Sequence, residues 1–230
     1  MTTKTTTTVK AMRRQNACRG LSFFAALLAL LGGGLIFSGC GATRPVKYYV
    51  LDPGTGQPPA PTSAPAKYPV TILVARVASA HLYHDDRLVY GSGAVELGTY
   101  EYQRWAEPPA EMLQDTLVST LRATGEYRSV SAIASNLRGQ YILHGRLYAL
   151  DEVDNPAISA RFSMGLELFD AKNGVTVWTG SYSHDAPVSG KSVADVVQAL
   201  DENVRTGLNQ LAASLGEYFA SHPPESATAR

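Results

Sequence analysis

Ser159-Ala160-Arg161-Phe162-Ser163-Met164-Gly165-Leu166-Glu167-Leu168-Phe169 is followed by Lys172-Asn173-Gly174 and then by Val175-Thr176-Val177-Trp178-Thr179-Gly180-Ser181-Tyr182. Ala160, Phe162, Met164, Leu166 and Leu168 share one side of an extended chain, while Arg161, Ser163 and Glu167 take the other. A period of two with one apolar face is the pattern of a half-buried antiparallel strand. Asn-Gly accepts the positive φ angles of a tight turn, so the two runs are expected to close as a hairpin. Tyr141 to Leu150 reads as the strand before it, which makes a three-stranded meander.

Upstream of the meander, Val46 to Leu51 alternates as a strand, and Pro69 to Val77 is apolar enough to lie centrally. Between them, Asp52 to Pro69 holds six prolines among Gly, Thr, Ser and Ala and reads as a solvated insertion between two strands. Short strands are expected around Leu88 to Tyr90, Ala94 to Tyr100 and Tyr127 to Ile133. A first helix opens at the prolines of Arg104-Trp105-Ala106-Glu107-Pro108-Pro109, tolerated because the first N–H groups of a helix lack partners. It carries Met112, Leu113, Leu117 and Leu121 on its apolar side and stops at Gly125. A closing helix starts near Ser192, with Asp195 as its capping-box partner. Val193, Val196, Val197, Leu200, Val204, Leu208, Leu211, Leu215 and Phe219 then recur at three- and four-residue steps as one stripe. The expected fold is α+β: a single mixed, mostly antiparallel sheet with two main helices packed on one face.

The first 39 residues carry Lys4, Lys10, Arg13, Arg14 and Arg19 and no acidic side chain. A basic stretch followed by the apolar run Leu21 to Phe37 is the layout of an export signal. The run contains Gly32-Gly33-Gly34 and is short of the roughly 20 apolar residues a permanent span needs. Ser38-Gly39 then precede Cys40, the arrangement of a bacterial lipoprotein signal: cleavage would leave Cys40 as the acylated N-terminus. Cys18 departs with the leader, so no intramolecular disulfide and no cysteine metal site is open to the remainder. Gly41, rather than Asp, follows the cysteine; by the sorting habit of the Gram-negative lipoproteins that this resembles, the expected address is the outer membrane, facing the periplasm. The organisation expected is a cleaved signal over 1–39, a lipidated tether over 40–45, one domain over 46–221 with a Pro-rich loop at 53–69, and a disordered tail over 222–230.

Beyond the leader stand 15 basic against 20 acidic residues, a formal charge of −5. Without a basic stripe there is no electrostatic footprint for nucleic acid. Chemistry is equally sparse. His81, His84, Asp85 and Asp86 form a cluster that could in principle bind zinc or move protons, yet they sit in a polar loop without the Glu of a metalloprotease helix. Gly91-Ser92-Gly93 lacks the flanking pattern of a nucleophile elbow. No catalytic residue, metal or cofactor is assigned. Trp105 is either a core residue at the helix start or a partner-facing anchor; Arg104 and Glu107 could form a surface ion pair; of Tyr48 and Tyr49, on opposite strand faces, one packs and the other is exposed toward the membrane or a partner.

Tyr48-Tyr49-Val50-Leu51-Asp52-Pro53 after a lipidated cysteine, then Asp86-Arg87-Leu88-Val89-Tyr90, Arg104-Trp105-Ala106-Glu107-Pro108-Pro109 and Val177-Trp178, together resemble the PqiC-like ABC-type transport auxiliary lipoprotein family. The resemblance implies a non-enzymatic envelope component. Its partners would be an MCE-family protein and the permease or other subunits of an ABC transporter that moves lipids or other hydrophobic compounds. Trp105, Arg104, Glu107 and Tyr48 are the residues expected to meet a partner, and a homo-oligomer is conceivable. A scaffold or activator of another periplasmic machine, for cell-wall synthesis or secretion, is the competing reading. A third, a lipid-handling enzyme, would depend on His84 or Asp86.

Overall fold

The computed structural model describes residues 44–51, 66–92, 95–133, 137–154 and 156–224. The leader 1–39, Cys40, Asp52 and Pro53, most of the Pro-rich loop, Gly93 and Ala94, and the tail from residue 225 lie outside them. Among the described residues the order is β1 (Lys47–Tyr49), β2 (Tyr68–Val74), β3 (Ala78–Ser79), a 3₁₀ turn (His81–Tyr83), β4 (Arg87–Gly91), β5 (Leu97–Trp105), α1 (Pro109–Ala123), β6 (Tyr127–Ala132), β7 (Tyr141–Asp154), β8 (Ile158–Asp170), β9 (Thr176–Pro187) and α2 (Val193–Ser221).

Strand β7 organises the sheet. Along one edge it receives three parallel partners in succession: Ile72–Val74 of β2 against Tyr141–Leu143, β3 against Arg146 and Leu147, and Val89–Gly91 of β4 against Asp151–Val153. Along its other edge it pairs antiparallel with β8 from end to end, and β8 pairs with β9. β6 extends the sheet from β2 in parallel, β5 from β4 in antiparallel, and β1 from β5 in parallel. The sheet is therefore mixed, as expected, but among the described residues five of its eight ladders are parallel. The expectation of a mostly antiparallel sheet is corrected on this point. Alternation reveals a hairpin between neighbours in sequence, whereas parallel partners are brought together across long crossovers. The near-continuous apolar run of β2, buried along most of its length, is the mark such a strand does carry.

A bulge falls at Tyr148, between Leu147 and Ala149. The extra residue changes which side chains point inward, so Leu143, Gly145 and Leu147 before it, and Leu150 and Glu152 after it, stand opposite the buried Leu168, Leu166, Met164, Phe162 and Ala160 of β8. The hairpin turn also differs from the simplest form. Within the turn only Gly174 takes a positive φ, of 70°, and among the described residues no non-glycine residue does. Gly174 N donates to Asp170 O at 2.8 Å, and the Asp170 carboxylate accepts from Lys172 N and Asn173 Nδ2. The result is a longer, helical turn closed by one left-handed glycine.

Both helices begin as their sequences dictate. Pro109 occupies the first turn of α1, whose buried face is Ala110, Met112, Leu113, Thr116, Leu117, Val118 and Leu121; Gly125, at φ 66°, follows its end. Ser192 and Asp195 complete a capping box on α2. The two helices touch each other and bury their stripes against the sheet in one core. Asn203 interrupts the stripe of α2 yet is fully used: its Nδ2 donates to the carbonyls of Ala160 and His184, each at 2.9 Å, and its Oδ1 accepts from the Tyr182 hydroxyl at 2.7 Å. Opposite Tyr182 stands Gly207, where a Cβ would come within 2.5 Å of the ring.

The sheet also buries a charge. Asp151 is 1% exposed, accepts from Arg161 Nη2 at 2.8 Å and from the Tyr83 hydroxyl at 3.3 Å, and stands directly across the ladder from Arg161. Burial raises the Asp151 carboxyl above its ordinary range, and burial with the neighbouring Asp151 pushes the Tyr83 hydroxyl up to about 12. Replacing Arg161 by Met leaves that carboxylate without its ionic partner and is expected to cost roughly 3 kcal/mol in urea unfolding. Arg161→Met with Asp151→Leu should regain most of the loss. At the α2 cap, hydrogen bonds from Ser192 hold Asp195 below the usual carboxylate range. Its contribution is thus present above the unfolded value of about 4 and fades as the pH falls through the folded one. Ser192→Ala should flatten the acid side of the stability–pH curve, measured by thermal unfolding between those limits.

Candidate docking site

The segments singled out in the sequence meet at one corner of the sheet. β1 lies in register with the end of β5, pairing Lys47 with Gln103, Tyr48 with Arg104 and Tyr49 with Trp105. Ala106 N donates to Tyr49 O at 2.7 Å, and the Tyr49 hydroxyl donates to Gln103 Oε1 at 2.9 Å. Asp86 joins from the loop before β4: its carbonyl accepts from Trp105 N at 2.6 Å and its carboxylate pairs with Arg104. Asp85 stands between two guanidiniums, 3.4 Å from Arg87 and 3.9 Å from Arg104, and accepts from Asp86 N. The hydrogen bond from Asp86, with these cations in support, holds the Asp85 carboxyl below its ordinary range.

This geometry redistributes the roles of the four residues expected to meet a partner. Trp105 is 1% exposed and ends a strand rather than opening a helix. It packs in the core, so the partner-facing alternative is corrected: an indole hidden to that degree presents no surface. Arg104 pairs with Asp86 and not with Glu107, because strand pairing carries it over the β4 loop while Glu107 lies beyond the strand end. Glu107 is exposed. Tyr48 is exposed at 63%, whereas Tyr49 is half-buried against the core.

The chemistry-bearing loop gains little from folding. The rings of His81 and His84 meet edge to face with centroids 5.4 Å apart, while Asp85 and Asp86 are engaged with arginines. Among the described residues no three His, Cys, Asp or Glu side chains gather closely enough to hold a metal. Gly91 ends β4, where a Cβ would come within 2.5 Å of Glu96 O. The buried polar pairs that the sequence reading missed, Asp151 with Arg161 and Glu152 with the Tyr100 hydroxyl at 2.8 Å, lie where a strand was expected to have ended. The available signal was the hydrophobic Val153 directly after the two acids.

A family model described as an ABC-type transport auxiliary lipoprotein component matches residues 49–213. The chain belongs to this family. The match begins inside the first motif and spans the corner, the meander and most of α2. Among solved structures, protein XCC0632 from Xanthomonas campestris is 18% identical, with a TM-score of 0.65 over 76% of this chain and 98% of that one. A structure described as an uncharacterized protein is 16% identical, with a TM-score of 0.58 over 75% of this chain and 99% of that one. At such identities the likeness speaks for the fold alone. A PelC dodecamer from Paraburkholderia phytofirmans aligns at 15% identity and a TM-score of 0.44 over 66% of this chain and 90% of that one, too slight a likeness to carry an argument about assembly. No curated protein matches the chain. Among the described residues no helix is long and apolar enough to cross a membrane.

If the corner is architecture first, truncating its indole must be felt in stability. Trp105→Ala is expected to lower the unfolding free energy by about 3–5 kcal/mol, against about 1 kcal/mol or less for the exposed Glu107→Ala. Equal and small losses in guanidinium titrations would contradict the assignment.

Proposed function

We propose that the protein is an outer-membrane lipoprotein, acylated at Cys40 and facing the periplasm, that serves as a non-catalytic docking subunit of an MCE/ABC-type transport system moving lipids or other hydrophobic compounds. The family match over residues 49–213 carries this reading. The leader supports it, since a basic stretch, a short apolar run and a small pair before Cys40 fit cleavage and acylation. Each buried methylene contributes about 0.8 kcal/mol, so several acyl chains hold the chain on the bilayer without a spanning helix. The body over 46–221 would then act by presenting surfaces rather than by turnover. The acids of the candidate cluster, Asp85 and Asp86, are paired with Arg87 and Arg104, which favours binding over the reading that gives His84 or Asp86 a catalytic task.

Cys40→Ser is expected to move the protein from the membrane to the soluble periplasmic fraction; full membrane retention without an acyl mass on the wild-type chain would refute the anchor. Crosslinked complexes captured from native membranes should contain an MCE-type protein and transporter subunits. Recovery of peptidoglycan synthases or secretins in their place would favour the scaffold of another periplasmic machine.

A further inference from the structure

Strand β1 forms an open margin of the sheet. Among the described residues its ladder partner is β5, and its two faces differ. Tyr49 turns inward, half-buried against the core. Val46, Tyr48 and Val50 alternate with it and stand 41%, 63% and 62% exposed. Two branched aliphatic side chains flanking a phenol make a short apolar row with a polar tip. Lys47, also exposed, alternates onto the other face with Tyr49.

We propose that this outward row of β1 rests on the lipid surface of the bilayer that holds the acylated cysteine. The inference depends on the lipidation reading given above and adds to it a face of the protein and an orientation. Val46 stands six residue steps after Cys40, which fully extended reach at most about 20 Å. A helix the length of α2 measures about 43 Å, so distant parts of the body can stand clear of the membrane while β1 cannot stray far from it. Other exposed apolar residues, such as Val95, Leu137 and Val175, lack so short a tether. The side chains suit the place: tyrosine favours the headgroup level, where its ring is in apolar surroundings and its hydroxyl in water. Water-exposed valines gain by entering the same boundary, roughly in proportion to the area covered.

The test uses the full lipidated chain in vesicles of phosphatidylcholine and phosphatidylglycerol, with a fraction of the lipid brominated on the acyl chains near the headgroup. Tyr48→Trp places a fluorophore in the row. Val175→Trp places one beside β9, five ladders away across the sheet, about 24 Å at the usual strand spacing. Trp105 and Trp178 give a background common to both variants, subtracted with the wild type. Quenching of the added indole should be at least about twofold stronger at position 48, with blue-shifted emission, as expected for an indole at the interface. Acylated protein with equal quenching at the two positions overturns the proposal and leaves the anchor standing, and so does a position 48 that is shielded only when a protein partner is added. A wild-type chain that carries no acyl group by intact mass overturns the anchor and the proposal together.

Discussion

The ladder between β7 and β8 holds the rest of the molecule in place. β7 lies between β8 on one edge and β2, β3 and β4 in turn on the other, so each later addition to the sheet inherits its position from this strand. Such a strand must run through the molecule regardless of what its side chains prefer. Where it passes Asp151 and Glu152, two acids end up buried. They are tolerated because Arg161 and Tyr83 meet the first and Tyr100 the second. Removing a carboxylate from water costs several kcal/mol unless hydrogen bonds replace its hydration.

The corner formed by β1, β5 and the loop before β4 explains why its residues travel together as a motif. Tyr49 and Ala106 share a backbone hydrogen bond, Trp105 bonds to Asp86, and Arg104 joins Asp86 through its side chain. Each piece lacks partners of its own: β1 is three residues long, and the loop at Asp85 and Asp86 has no regular pairing. Their convergence pairs the backbone groups of Tyr49, Asp86, Trp105 and Ala106 and the Arg104 guanidinium. The motif therefore marks a way of fastening the first strand to the body. The outward row of β1 lies on the same short strand.

Much of this was legible beforehand, for identifiable reasons. The stripe of α2, its Ser192 cap and the Gly125 stop are local patterns, and local hydrogen bonds decide them. The alternation from Ala160 to Leu168 identified the buried face of β8 without a partner being known. Illegible features all involve distant partners. Asn203 reads as a flaw in an apolar stripe until the carbonyls of Ala160 and His184 stand beside it. Trp105 reads equally well as an anchor or a core residue, because amphipathic aromatic side chains serve both tasks.

Residue order alone determined the presence of the two helices, the cap and stop that bound them at Ser192 and Gly125, and the meander that ends in β9, since each rests on contacts within a turn or between neighbours along the chain. Folding in three dimensions decided that most ladders are parallel, that Trp105 is buried while Tyr48 is exposed, and that Arg104 answers Asp86 instead of Glu107. Those outcomes depend on which strand lies beside which. That choice is made by the joint burial of many side chains far apart in the chain, and no single segment encodes it.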